Sequence, residues 1–139
     1  MLYFGVDFNE HNFKISILTE SFAHLDTKVF YFEEKQRYHK WLDSFKDNCR
    51  EKCSWYFDEF DFINYENSAS NFYYDNSYYE IYLVNHRKLL NIIQFLYEWA
   101  IHNESVLTFD IEKSLLLASA IRLFDDDDIK SYTPADCPF

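Results

Sequence analysis

The chain is 139 residues long, rich in aromatic side chains and strongly acidic. That length suits a single domain, and a hydrophobic fraction of 48% is enough to bury a substantial core. The formal net charge of -11 argues against direct binding of nucleic acid, because a protein that holds phosphates unaided normally presents a basic face. No stretch approaches the roughly 18 apolar residues of a membrane span, and the N-terminus lacks a secretory signal, which together predict a cytoplasmic protein without a membrane partner.

The residue types available exclude several chemistries. A single glycine, Gly5, leaves no glycine-rich loop of the kind that holds phosphates in kinases, P-loop proteins and dinucleotide-binding folds. The histidines show no HxH or HExxH spacing, and the cysteines form no CxxC pair, so we expect neither a zinc site nor a disulfide framework. No serine or cysteine lies in a nucleophile-elbow sequence, which leaves acyl transfer without support.

The first elements in chain order are three predicted strands. Apolar and polar residues alternate over 2–8 and over 12–19, on either side of the polar turn from Asn9 to Asn12, and this pattern predicts a β-hairpin. A third alternating run, from Leu25 to Phe32, predicts a strand that continues the hairpin as a three-stranded antiparallel meander.

Helices and strands are predicted to alternate over the rest of the chain. They are a helix over 33–50, a strand over 53–57, a long polar loop over 58–77, a strand over 79–84, a helix from the cap Asn85 to about 102, an extended segment over 106–109 and a helix over 111–124. A meander extended by helix-linked strands is the element order of an RNase H-like α/β fold. We therefore predict one such domain over 1–124, followed by an acidic C-terminal tail over 125–139.

Four short motifs in this order resemble those of a known family. Phe4-Gly5-Val6-Asp7 matches an opening strand of the form x-x-G-[VI]-D, and the run from Trp55 to Glu59 lies where an acid ends the strand after the first helix. The run from Tyr82 to Asn85 is similar to a V-N-P strand end, and the run from Asp110 to Ala118 is similar in spacing to a T-D-x-x-D-A-x-x-L-A helix start. Over about residues 1–123 the chain thus resembles the N-terminal RuvC-like domain of DEDD-type insertion-sequence transposases and pilin-gene invertases.

The resemblance implies a metal site made of three acids. Asp7, Glu59 and Asp110 would bind one or two Mg²⁺ ions, and water activated by the metal would cut a phosphodiester bond. Each residue also has a simpler interpretation, which the sequence leaves open. Asp7 could end its strand or cap the hairpin turn, Glu59 could be an exposed loop acid, and Asp110 could be the N-cap of the last helix.

Departures from the family pattern predict that this catalytic site is incomplete. Lys113 stands at the position of the second aspartate of the last motif, where its ammonium would place a fixed positive charge in a cation site. The Thr-Gly pair that follows the acid of the second motif is missing, and His86 replaces the proline of the third. We therefore expect a catalytically degenerate domain without a cofactor, and we keep a Mg²⁺-dependent nuclease of RuvC-like type as the alternative.

A second hypothesis makes the acidic surface itself the functional element. Between Lys52 and Arg87 there is no lysine or arginine, and tyrosines, which suit interfaces, are frequent. Carboxylates on such a scaffold could act as a DNA mimic that occupies the basic surface of a nucleic-acid-processing protein and inhibits it, as in a mobile-element or phage setting. The residues predicted to bind that partner are Asp58, Asp61, Glu66, Tyr73, Tyr74 and Asp75. The alternatives are that the acids only keep the protein soluble and that the tyrosines cover the sheet.

Overall fold

The computed structural model describes residues 1–44, 53–64, 80–102 and 112–132, which form an α/β fold around one mixed sheet. The six strands in these ranges are β1 (Leu2–Phe8), β2 (Asn12–Leu18), β3 (His24–Tyr31), β4 (Cys53–Asp58), β5 (Glu80–Val84) and β6 (Ile129–Tyr132). The helices in the same ranges are α1 (Lys35–Asp43), α2 (Glu59–Asn64), α3 (His86–His102), α4 (Lys113–Ala118) and α5 (Ala120–Leu123), and a 3₁₀ turn covers Asp126–Asp128.

The strand order across the sheet is β3-β2-β1-β4-β5-β6. The first three strands are antiparallel neighbours, β4 runs parallel to β1, and β5 runs parallel to β4. At the far edge β6 pairs antiparallel with β5. The carboxyl ends of β1, β4 and β5 therefore lie side by side at one end of the strands. Ligands of open α/β sheets bind at this carboxyl end.

Each face of the sheet buries its own hydrophobic core, because side chains alternate along every strand. On the face that α1 and α2 cover, Phe4 of β1 stacks on Trp55 of β4 with ring centroids 4.3 Å apart. On the other face, Tyr3 of β1 belongs to a core that includes Leu89 of α3 and Leu117 of α4. The sheet is thus the middle layer of three, with helices packed on both sides.

Helix α4 packs very close to β1, and Gly5 permits this contact. A β-carbon at position 5 would overlap the carbonyl oxygen of Ser114 and the amide nitrogen of Ala118, and it would lie 3.0 Å from the carbonyl carbon of Leu117. The backbone of α4 therefore rests on the backbone of β1. Beside this contact the side-chain oxygens of Ser16 and Ser114 are hydrogen-bonded at 2.7 Å, so both buried hydroxyls have a partner.

The predicted strands before residue 85 agree with the observed ones to within one residue at each end. In the turn between β1 and β2, Asn9 Oδ1 accepts hydrogen bonds from the backbone N–H groups of His11 and Asn12 at 2.8 and 2.9 Å. The helix cap predicted at Asn85 is confirmed as well, because its Oδ1 accepts a hydrogen bond from the backbone N–H of Lys88 at 3.1 Å. Local side-chain chemistry therefore determines these turns.

Several predicted boundaries differ from the observed ones. The segment predicted as a polar loop over 58–77 begins with α2, and its part over 65–77 lies outside the described residues. The helix predicted over 33–50 is observed as α1 (Lys35–Asp43), and its part over 45–50 lies outside the described residues. The last predicted helix is divided at Ser119, whose backbone angles of φ -95° and ψ 10° leave the helical region between α4 and α5. The extended segment predicted over 106–109 lies outside the described residues.

The sheet also continues beyond residue 124, where we predicted an acidic tail. Strand β6 pairs with β5 through four residue pairs, from Val84 with Ile129 to Ile81 with Tyr132. Residues 129–132 are therefore part of the sheet. A run of four residues is too short for alternation to reveal a strand, and its partner is distant in sequence.

Helix α3 is the longest helix in the described ranges and carries apolar residues on more than one side. Leu89 is fully buried, whereas Phe95 is 64% exposed and Ile101 is 61% exposed. None of the helices in the described part of the chain has the length and apolar character that crossing a bilayer requires.

Candidate functional site

Three carboxylates and one ammonium meet at the carboxyl edge of the parallel strands. Asp7 lies near the end of β1, Asp58 ends β4, Asp61 lies in α2 and Lys113 begins α4. Lys113 Nζ donates a hydrogen bond to Asp61 Oδ2 at 2.7 Å, and it lies 2.9 Å from Asp58 Oδ2 and 3.8 Å from Asp7 Oδ1. We refer to these four residues as the carboxylate–lysine cluster.

Two features of the fold bring the cluster together. In the parallel pairing of β1 with β4, Val6 lies opposite Phe57, so Asp7 and Asp58 are the next residues along their strands. The close contact of α4 with β1 then places the first residue of that helix, Lys113, above the same edge. The cluster thus follows from strand register and helix packing together.

Asp58 is fully buried and uses both of its carboxylate oxygens. Its Oδ1 accepts a hydrogen bond from the backbone N–H of Phe60 at 2.9 Å, which stabilises the start of α2. Its Oδ2 lies 2.7 Å from His86 Nδ1 in addition to its contact with Lys113. The His86 ring stacks on Phe60 with ring centroids 4.9 Å apart. Asp58 therefore links α2, α3 and α4 at the end of β4.

Glu59 lies next to the cluster but contacts a different group. Its Oε1 accepts a hydrogen bond from the backbone N–H of His86 at 3.4 Å, at the start of α3, where the helix dipole favours a carboxylate. A separate ion pair, between Lys14 and Glu112 at 2.7 Å, joins β2 to the residue that precedes Lys113. These charges surround the cluster without entering it.

Burial disfavours ionisation of two carboxylates in the cluster. It raises the pKa of Asp7 above the usual value, an effect that Lys113 opposes and Asp61 strengthens. It also raises the pKa of Asp61, although the hydrogen bond from Lys113 acts in the other direction. Burial by itself would lower the pKa of Lys113, but hydrogen bonds to Asp61 and Asp58 outweigh that effect and leave the pKa raised. The ammonium is therefore charged at neutral pH.

The cluster has the composition of a cation site that already contains a cation. Carboxylate oxygens are the protein ligands that Mg²⁺ prefers, and here oxygens of three carboxylates lie within 3.8 Å of Lys113 Nζ. A divalent ion would have to displace the ammonium to reach them. Within the described ranges, no group of three His, Cys, Asp or Glu side chains is arranged to hold a metal ion.

Only some of the predicted site residues meet in this cluster. Of the acids predicted to bind metal, Asp7 belongs to it, Glu59 lies beside it and Asp110 lies outside the described residues. Asp58 and Asp61, predicted to contact a partner, also belong to the cluster, and their carboxylates face Lys113 instead of the surface. The other residues predicted to contact a partner, Glu66, Tyr73, Tyr74 and Asp75, lie outside the described residues.

Sequence reasoning did not predict that Asp58 and Asp61, and not Glu59, accompany Asp7. A signal for Asp58 was present, because it directly follows the strand predicted over 53–57, and the observed strand β4 ends at it. Adjacent residues at a strand end point in different directions, so Asp58 and Glu59 cannot both face the same point. His86 carries no sequence feature that marks it as a partner of Asp58.

No protein-family model and no curated protein matches this chain. Its function is therefore inferred from the strand order, the charge of the chain and the geometry of the carboxylate–lysine cluster.

Proposed function

We propose that this protein is a catalytically inactive RNase H-like domain that acts as an interaction module and inhibits a nucleic-acid-processing partner. The strand order supports the fold assignment, because an antiparallel meander of β1, β2 and β3 is extended beside β1 by the parallel strands β4 and β5. The acid of the first strand, Asp7, lies near its carboxyl end, where ligand sites of such sheets are found.

The observation that carries the proposal is the position of Lys113 Nζ among Asp7, Asp58 and Asp61. An ammonium held at this point pairs with the three carboxylates at the ends of the strands, and its charge repels a divalent cation. Phosphodiester cleavage by this route needs a metal ion to activate water and stabilise the leaving oxygen. Lys113 then has a structural role in place of the metal.

The charge of the whole chain supports a partner with a basic surface. A net charge of -11 attracts positively charged proteins and speeds their association. In the described ranges, exposed acids include Asp125, Asp126 and Asp127, which lie in the turn before β6. Because the carboxylates of Asp58 and Asp61 face inward, we assign the contact with a partner to surface acids such as these. A nuclease with a basic DNA-binding groove is the partner class that fits.

A metal-binding measurement tests the role of Lys113. The substitution Lys113→Met removes the ammonium but keeps a side chain of similar length, and it leaves three carboxylates without their cation. We expect Mn²⁺ to bind this variant and to raise its melting temperature, and to leave the melting temperature of the wild-type protein unchanged. Lys14→Met is the matched control, because it removes the neighbouring ion pair and should produce no Mn²⁺ site. Equal Mn²⁺ binding by wild-type protein and Lys113→Met would contradict the proposal.

A second candidate function is Mg²⁺-dependent phosphodiester cleavage of RuvC-like type. The convergence of Asp7, Asp58 and Asp61 on one point favours it. The discriminating assay offers branched and single-stranded DNA to the wild-type protein with Mg²⁺ or Mn²⁺. The proposal predicts no cleavage, whereas metal-dependent cleavage that is lost in Asp7→Asn would establish the enzyme instead.

Inhibition measurements test the partner class. We expect the protein to slow DNA cleavage by a nuclease with a basic groove from its native host, and the inhibition to weaken as salt screens the attraction. Asp127→Lys, in the exposed turn before β6, should weaken inhibition further. Glu20→Lys makes the same change of charge in the exposed turn between β2 and β3 and should have a smaller effect. Inhibition that responds neither to salt nor to Asp127→Lys would rule out this mode of binding.

A further inference from the structure

A cavity of about 360 Å³ opens on the sheet face that α3, α4 and α5 cover, toward the amino ends of β1, β4 and β5. Three tyrosines and two acids give it its chemical character: Tyr3, Tyr56, Tyr82, Glu80 and Asp126. We refer to it as the tyrosine cavity. It lies toward the end of the strands opposite the carboxylate–lysine cluster, and its volume is in the range that holds small organic ligands.

The tyrosines of the cavity form a continuous aromatic wall. Tyr56 and Tyr82 are register partners on β4 and β5, and their rings stack with centroids 5.2 Å apart and an interplanar angle of 17°. Tyr3 extends the wall, with its ring centroid 6.4 Å from that of Tyr56. Tyr3 and Tyr56 are buried, whereas Tyr82 is partly exposed, so the Tyr82 ring is the one that a ligand reaches most directly. The faces of such rings carry partial negative charge and attract cations.

Two carboxylates add full negative charge to this wall. The Tyr82 hydroxyl donates a hydrogen bond to Glu80 Oε2 at 2.7 Å, which holds that carboxylate beside the rings. Asp126 comes from the 3₁₀ turn before β6. In the described part of the chain, neither acid forms an ion pair with a basic group. Their charge is therefore available to a ligand.

The tyrosines themselves stay neutral at physiological pH. Burial raises the pKa of Tyr56 to about 12, and burial together with the hydrogen bond to Glu80 raises the pKa of Tyr82 to about 12. The charge of the cavity at neutral pH is thus that of its carboxylates. None of the described residues that line it is lysine or arginine, so an anionic ligand would be repelled.

We propose that the tyrosine cavity binds an organic cation, an alkylammonium or guanidinium group, between its tyrosine rings and the carboxylates of Glu80 and Asp126. The cavity supplies the two attractions that such a group requires, contact with aromatic faces and charge-assisted hydrogen bonds. The cation can belong to a free polyamine or to a lysine or arginine side chain of another protein. Both sources present the same chemistry to the cavity.

Matched ligands test this inference by nuclear magnetic resonance titration. N-acetyl-arginine amide and N-acetyl-citrulline amide share their shape but differ in charge. We expect the arginine compound to shift the ring resonances of Tyr56 and Tyr82. We expect the citrulline compound to bind at least roughly tenfold more weakly than the arginine compound. Tighter binding of spermidine would indicate a free polyamine, and tighter binding of an arginine- or lysine-containing peptide would indicate a protein side chain. Either preference supports a cation site.

Variants of the cavity complete the test. Glu80→Gln should weaken binding of the arginine compound roughly five- to tenfold, whereas Glu33→Gln, at an exposed acid before α1, should leave it unchanged. Tyr82→Phe keeps the ring but releases Glu80, and we expect an intermediate loss. Equal binding of the arginine and citrulline compounds, or unchanged binding by Glu80→Gln, would overturn the inference. These measurements involve neither metal nor nuclease, so their outcome is separate from that of the proposed function.

Discussion

The carbonyl oxygen of Ser114 occupies the space in which any residue other than glycine at position 5 would place its β-carbon. This backbone contact between Gly5 and Ser114 joins α4 to β1. Because Lys113 directly precedes Ser114, the same contact brings its ammonium to the acids at the end of the sheet. The one glycine of the chain therefore allows α4 to approach β1 closely enough for Lys113 to reach the three carboxylates.

A methyl group at position 5 should accordingly be poorly tolerated. The obstructing atoms belong to helix backbone and cannot move aside as a flexible side chain could, so α4 would have to shift. We expect Gly5→Ala to lower the free energy of unfolding by about 3 kcal/mol or more, measured by urea denaturation. Ser21→Thr adds a methyl group in an exposed turn and should change it by less than about 0.5 kcal/mol. A small effect of Gly5→Ala would disprove the close contact.

The two aspartates at the strand ends should respond in opposite ways to replacement by asparagine. Asp58 is fully buried and contacts Lys113, His86 and the backbone N–H of Phe60, so Asp58→Asn should lower the free energy of unfolding by about 3 kcal/mol. Asp7 lies farther from Lys113, and burial disfavours its charge. We therefore expect Asp7→Asn to raise the free energy of unfolding at pH 7, by less than about 1 kcal/mol. Urea titrations of both variants make the comparison.

The benefit of Asp7→Asn should depend on pH. The pKa of Asp7 is raised in the folded protein, so the folded state binds this proton more tightly than the unfolded chain does. The charge of Asp7 therefore lowers the free energy of unfolding by its full amount at neutral pH. This destabilisation is removed as the pH falls through the raised pKa. The difference in stability between Asp7→Asn and wild-type protein should vanish below about pH 4, near the ordinary pKa of aspartate. A difference that stays constant from pH 7 to pH 4 would contradict this account.

Alkaline conditions should destabilise the protein through two tyrosines. The pKa values of Tyr56 and Tyr82 are raised from 10.0 to about 12, so the unfolded chain releases these protons first as the pH rises. The stability present below pH 10 should therefore be lost progressively between pH 10 and 12. We expect the double variant Tyr56→Phe with Tyr82→Phe to show a shallower loss in urea titrations at pH 9 to 11. Identical slopes for the variant and the wild-type protein would refute the assignment.

The start of α3 should depend on its cap. Asn85 Oδ1 accepts a hydrogen bond from the backbone N–H of Lys88, and we expect Asn85→Ala to lower the free energy of unfolding by about 1 kcal/mol. Asn91→Ala makes the same replacement at an exposed position inside the helix, where alanine is the better helix former. That control should leave stability unchanged or slightly higher. Equal losses in the two variants, measured by urea denaturation, would show that capping is not the cause.

The elements that the sequence predicted well are those whose signals are local. The hairpin of β1 and β2 follows from alternation on either side of Asn9, whose side chain closes the turn. The start of α3 follows from the cap at Asn85. Strand β6 carries no comparable signal, because its partner β5 is distant in the chain. The division of the last helix at Ser119 carries no comparable signal either.

The candidate site was predicted in part for the same reason. Asp7 was identified because it matches the opening motif, and Lys113 because it departs from the last motif. Both residues lie in the cluster. Which acids join them depends on the rotation of side chains at the end of β4, where Asp58 faces Lys113 and Glu59 faces His86. Which acid faces Lys113 is therefore set by strand register and by the packing of α2. Neither can be read from the spacing of residues along the chain.

The sequence by itself determined the class of fold, the opening meander and the acidic character of the surface, since these depend on alternation, turn residues and composition. Tertiary structure decided that the backbone of α4 packs directly against Gly5 and that the ammonium of Lys113 lies among three carboxylates. The physical reason is that close backbone contacts and buried ion pairs join residues far apart in sequence. Only folding brings Asp7, Asp58 and Lys113 to one point.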